Sequence, residues 1–244
     1  MSLKLTWVEM KLFIREPGVY IGLIVPLALL LIFGSIYGNT PNAFFQGRGA
    51  LDVYMPAYIV MLIVSNAFFS LPIALVNYRE HGILFRLQAT PLRPLSILAS
   101  QFGANFLMTT LEAVLLILLG IVFYNLHVTV SVLNVLIAYI LGILSIFSLG
   151  FLIASLAPNG RVITIFAVVF FLVSIYLSGM AVPLQIYPPT VQQIAQFLPI
   201  THAVTLLQEL WVGASWSSHW GDVLVLLGLL VVCLALASKL FRWR

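Results

Sequence analysis

A chain of 244 residues that is 62% hydrophobic and only 7% charged is not a soluble domain, where roughly a quarter of the residues carry charge. Its formal net charge of +4 calls for no nucleic acid, because in so apolar a chain the bases report the side of a membrane on which each loop lies. The single cysteine, Cys233, excludes an intramolecular disulfide and a multi-cysteine metal site, and it reads as packing in the last apolar run.

In chain order, six apolar runs reach the ~20 residues that a ~30 Å hydrocarbon core requires: 18–38, 54–76, 95–124, 131–157, 162–181 and 220–238. Before the first, Leu3, Trp7, Met10 and Ile14 recur at helical spacing, with Lys4, Lys11 and Arg15 beside them. This predicts an amphipathic helix in the cytoplasmic interface, ended by Pro17 and Gly18. The first run is too long for a cleavable signal core and no small-residue cleavage site follows it. Its Gly34 and Gly38 have a spacing that allows close helix approach but is common by chance, and a short polar loop, Asn39 to Asp52, follows.

The second run carries Asn66, Ser70 and Asn77 on roughly one helical face, and the third carries Gln101, Asn105, Thr109 and Glu112 at i, i+4, i+8 and i+11. Lipid satisfies none of these groups, so both stripes should face protein or water, either as a transport path or as interhelical hydrogen bonding. Glu112 reads as the one acidic residue within a span. Between the two runs, Asn77 to Pro94 is the densest cluster of charge, with Arg79, Glu80, Arg86 and Arg93. Ile83, Leu84 and Leu87 fall on one side of it, which predicts a short helix lying along the membrane surface. Thr90-Pro91 then reads as a fresh helix start, a capping hydroxyl followed by a proline at the first helical position.

Runs four and five are joined by a tight turn, Ala157 to Arg161. After run five, Thr190 to Leu198 sets Val191, Ile194, Ala195 and Leu198 against Gln192, Gln193 and Gln196, an amphipathic helix of about two turns and too short to span. A second short segment, Thr201 to Val212, holds His202 and Glu209, and Trp216 and Trp220 beyond it suit an outer interface. The two read as an outer re-entrant pair before the last span. With the N-terminus inside, ten of the eleven Lys and Arg are cytoplasmic and only Arg48 is outside. The fold class is therefore all-α: one polytopic domain over 1–244 with six transmembrane helices, an N-terminal interfacial helix and the outer pair.

The chain has no phosphate-binding Gly-x-x-x-x-Gly-Lys-Ser/Thr, no His-Glu-x-x-His and no Gly-x-Ser-x-Gly. Its four histidines, His81, His127, His202 and His219, lie in different loops on both sides and make a poor metal cage. An enzyme is disfavoured, and no metal or cofactor is expected in this chain.

The run from Arg79-Glu80-His81-Gly82 through Leu84, Arg86 and Leu87 to Thr90-Pro91-Leu92 resembles the signature of ABC type-2 exporter permeases, which lies in the cytoplasmic loop between spans two and three. Phe197 to Ala203 resembles a second family element just before span six. Phe85 stands where the family usually has an acidic residue, and Gln208 where an Arg is common. The resemblance implies that Arg79, Glu80, Gly82, Leu84, Arg86, Leu87, Thr90 and Pro91 form the loop that docks a separate ATP-binding subunit. It also implies that two permeases pair, as a homodimer or heterodimer, in the cell (inner) membrane with both termini cytoplasmic. Membrane lipid is the remaining partner, and Asn66, Ser70, Gln101, Asn105, Thr109 and Glu112 are the candidate transport path. The expected function is ATP-driven export of drug-like or lipid-like amphipathic compounds, ahead of polysaccharide or glycolipid export. An ion-driven secondary transporter would need several intramembrane ionisable groups, and only Glu112 qualifies. A protein that merely recruits a soluble partner to the membrane would lack an adjacent ATP-binding-cassette gene.

Overall fold

The computed structural model describes residues 7, 10–11, 17–41, 47–83, 94–127 and 131–240. Nine helices follow one another among them: α1 Pro17–Tyr37, α2 Ala50–Ser65, α3 Leu71–Glu80, α4 Pro94–Tyr124, α5 Val132–Leu156, α6 Gly160–Leu177, α7 Pro189–Ala195, α8 Pro199–Trp211 and α9 Trp220–Leu240. Five segments are long and apolar enough to cross a membrane: Ala50–Glu80, Ala99–Tyr124, Val132–Leu156, Gly160–Leu177 and Trp220–Leu240. The remaining apolar run, the first in the chain, is α1, whose described apolar part, Gly22–Tyr37, is shorter than these. Of the N-terminal interfacial helix, Trp7, Met10 and Lys11 are helical, and its remaining residues lie outside the described ones.

The bundle is built around a rod made of α2, a π-helical segment Asn66–Ser70 and α3, in which every residue from Tyr54 to Pro72 is buried. The wide turn has a cause in the sequence. Pro72 has no N–H to give the preceding turn, and its ring crowds the carbonyl four residues back. The helix answers with one π turn, the Leu71 N–H reaching the Asn66 carbonyl, and then resumes as α. Helix α5 comes so close here that a Cβ on Gly150 would strike the carbonyl oxygen of Ala67. On its far side α5 holds α9: Ser145 Oγ donates to the Leu226 carbonyl at 2.9 Å.

The outward faces of α4, α6 and α9 are apolar and uncovered. Leu111 and Val122, Val169 and Tyr176, and Leu224 and Val231 are each more than half exposed. A soluble surface does not carry patches of this extent, and lipid or further protein must cover them. The two members of the predicted short pair differ from each other in depth. Helix α7 is shallow, with only Ala195 buried. Helix α8 sends Ile200, Ala203, Leu206, Leu207, Leu210 and Trp211 into the main core beside α2, α5 and α9. Its 13 residues are too few to span but, being amphipathic, enough to fill the core from one end.

Candidate functional site

At one end of the rod, α3 stops at Glu80 and the chain turns at His81 and Gly82. The Gly82 N–H returns to the Arg79 carbonyl at 3.1 Å with Gly82 at φ +65, a left-handed backbone for which a glycine is suited. The two preceding charges are spent inside the molecule. The Arg79 guanidinium donates to the carbonyl of Ala157, and the Glu80 carboxylate accepts the Gly160 N–H at 3.0 Å. Both partners are backbone groups that the end of α5 and the start of α6 leave without helical partners. Asn159 caps α6 by accepting the Val162 N–H at 2.9 Å. Beneath this polar clamp Val76, Ala157 and Ile163 form a small core of their own, so the end of α3 and the α5–α6 turn make one unit. The tight turn that joins runs four and five thus holds Arg79 and Glu80, the first two residues of the run that resembles the family signature. Leu84, Arg86, Leu87, Thr90 and Pro91, and the predicted surface helix, lie outside the described residues.

About four helical turns back along the rod, the two polar stripes meet at Asn66. Its Nδ2 donates to Thr109 Oγ1 at 3.0 Å and to Glu112 Oε2 at 2.6 Å, and all three side chains are buried. Each hydrogen bond here is made where water does not compete, and Asn66 sits at the first residue of the π turn that Pro72 causes. The lower stripe does not join in the same way. Asn105 gives its Nδ2 to the Gln101 carbonyl at 2.9 Å, while its Oδ1 is buried with no hydrogen-bond partner among the described residues. Ser70 is buried but takes no part in the Asn66 group. The structure thus brings together Asn66, Thr109 and Glu112 and leaves Gln101, Asn105 and Ser70 outside that cluster.

A third group was missed. Asp222, in the first turn of α9, lies 2.6 Å from His202 Nδ1 and 3.1 Å from His219 Nδ1, and His202 Nε2 lies 2.9 Å from the Gln196 carbonyl. Glu112 is therefore not the one acidic residue within a span, and two of the four histidines share a carboxylate. The hydrogen bond to Asp222 raises the His202 pKa above its ordinary 6.5. Both ring nitrogens face acceptors, so only the protonated imidazole satisfies both. The His219 and Asp222 spacing of three was readable from the sequence; the return of His202 from twenty residues away depends on how α8 enters the core. The same end carries a second staple between loops. Asn39 Nδ2 donates to Asp52 Oδ1 at 2.9 Å, and Asp52 Oδ1 also accepts the His127 N–H at 3.0 Å.

Comparison with known proteins adds three findings. The family model described as ABC-2 type transporter matches residues 3–212. The chain is 26% identical, over 90% of its own length and 78% of the relative's, to a protein of Pyropia yezoensis named as transport permease ycf38. It is 24% identical to the multidrug ABC transporter permease YbhR of Escherichia coli (strain K12), over 77% of this chain and 51% of that protein, so it spans about half the length of the latter.

Proposed function

This chain belongs to the ABC-2 type transporter family, and on that premise we propose that it is the membrane-spanning permease subunit of an ATP-driven exporter of amphipathic, drug-like or lipid-like compounds. The observation that carries the reading is the family match across most of the chain, with Arg79, Glu80 and Gly82 at the end of the central rod. The multidrug name of one relative supports the substrate class over polysaccharide. In this reading ATP is hydrolysed by a separate ATP-binding subunit, two permeases pair, and the single domain over 1–244 sits in the cell membrane with both termini cytoplasmic.

The coupling route follows from the clamp. A partner that pushes on the loop after Gly82 pushes on α3, and Arg79 and Glu80 carry the same displacement to the α5–α6 turn. Helices transmit such a push as rigid bodies, and allosteric transitions in packed bundles are built from movements of this kind. The Asn66, Thr109 and Glu112 cluster joins α2 to α4 and would keep the rod and its neighbour moving together. A second role, as part of a hydrated path, is favoured by the Asn105 Oδ1, which has no partner among the described residues and which water or a substrate donor would satisfy.

The test is to co-purify the chain with its ATP-binding partner and screen compounds for stimulated ATP hydrolysis. Stimulation by amphipathic drugs is expected. A chain that purifies with no ATPase, or an ATPase that no such compound stimulates, removes the reading.

A further inference from the structure

At the end of the bundle opposite the clamp, a cleft of about 570 Å³ opens between the first turn of α2, the exposed side of α8 and the turn after α6. Its volume is in the range that holds a small ligand or a head group. The sequence of α8 decides its chemistry. With the apolar face of that helix in the core, Thr205, Gln208 and Glu209, at i, i+3 and i+4, turn into the cleft. Val53 and Ile186 supply apolar wall. Arg48, the lone Lys or Arg at this end among the described residues, lines the same cleft.

Arg48 and Glu209 share this one space without meeting. Neither side chain makes an ion pair or a hydrogen bond with any described residue. A site with an unpaired cation and an unpaired carboxylate discriminates by repulsion as well as attraction. An anionic head group is opposed by Glu209, a cationic one by Arg48, and a neutral one leaves both charges unanswered. A head group with both charges answers both, through charge-assisted hydrogen bonds to a guanidinium and a carboxylate, and the apolar wall takes the first carbons of its chain. We infer that this cleft binds a zwitterionic amphiphile, its phosphate on Arg48 and its amine on Glu209. The inference stands apart from the export reading, since such binding requires neither ATP nor a partner subunit.

Native mass spectrometry of the full chain in a neutral detergent tests it, titrating lysophosphatidylethanolamine against lysophosphatidylglycerol of the same chain length and dodecyltrimethylammonium. One lysophosphatidylethanolamine should bind per chain in preference to the other two. Arg48→Gln and Glu209→Gln should each weaken it about tenfold, the scale of one lost charge-assisted hydrogen bond. The double reversal Arg48→Glu with Glu209→Arg should regain binding, because a dipolar head group can turn round. Both positions are exposed, so unchanged thermal stability of the variants will separate a lost site from a lost fold. Equal binding of all three head groups, or undiminished affinity in both single variants, overturns the proposal.

Discussion

The two ends of this bundle face the same task, joining helices where their backbones run out of partners, and they use different chemistry. At the Arg79 end, charged side chains hold main-chain groups: a guanidinium on the Ala157 carbonyl and a carboxylate on the Gly160 N–H. At the Trp220 end the central tie is between side chains, with Asp222 between His202 and His219. Backbone amides and carbonyls do not titrate, so half of each bond in the first end is fixed at any pH. The His202 imidazole has its pKa raised by Asp222, so that contact is tied more firmly while the ring is protonated than after it loses the proton. The first arrangement suits a joint that must transmit force, and the second suits one that can be loosened.

The comparison fails outright if the two ends do not lie on opposite sides of the membrane, and an all-or-none experiment decides that. In a background with Cys233 replaced, single cysteines at Arg48, Gln193 and Ser217 should react with an impermeant reagent from outside, and those at Arg86, Arg161 and Arg242 only after permeabilisation. Outside labelling of Arg161→Cys would mean that the α5–α6 turn and the loop it grips are not cytoplasmic.

The next largest effect is expected at the clamp. Glu80→Ala and Gly82→Val should leave the protein inserted yet lower export and substrate-stimulated ATP hydrolysis by about tenfold or more, a loss of ~1.4 kcal/mol in coupling. Glu80→Gln sharpens the point, because its amide oxygen still accepts the Gly160 N–H. Activity that survives in Glu80→Gln and not in Glu80→Ala assigns the residue to the joint within this chain. Equal damage by both assigns its charge to the partner subunit.

In the middle of the bundle, Asn66→Leu strands a buried carboxylate and should cost about 1–3 kcal/mol, the scale of an unsatisfied buried polar group, seen as a lower melting temperature. Glu112→Gln keeps the acceptor and should cost under ~1 kcal/mol. Resistance to matched cationic and neutral drugs in that strain then separates two roles. Unchanged resistance to both leaves Glu112 as a link between α2 and α4, and a loss confined to cations places it on the path.

The smallest effect is the pH dependence of the other end. His202 has its pKa raised by Asp222 from 6.5, so the folded chain holds a proton that the unfolded chain releases first. Its contribution to stability is complete below about pH 6.5 and is lost as pH climbs through the raised value. The melting temperature of the wild type should therefore fall further than that of His202→Gln as pH rises from about 6 to about 9. Parallel curves for the two proteins would show that the contact with Asp222 carries no proton-linked stability.

The sequence by itself determined the membrane class, the apolar runs that became α1 to α6 and α9, the short helical pair, and the family, because each rests on local composition, periodicity or a contiguous motif. Asn66 and Glu112 were legible as polar groups that lipid cannot satisfy, but the sequence left Ser70, Asn105 or water equally open as partners, and the fold chose the pair. What only the tertiary structure decided are contacts between residues far apart in the chain. Glu80 and Gly160 are eighty residues apart, and nothing local to either names the other. The same holds for His202 and Asp222, whose meeting depends on α8 sinking its apolar face into the core instead of lying on the surface. An amphipathic pattern fixes which face of a helix is buried, but how deep it goes depends on the space that the surrounding helices leave.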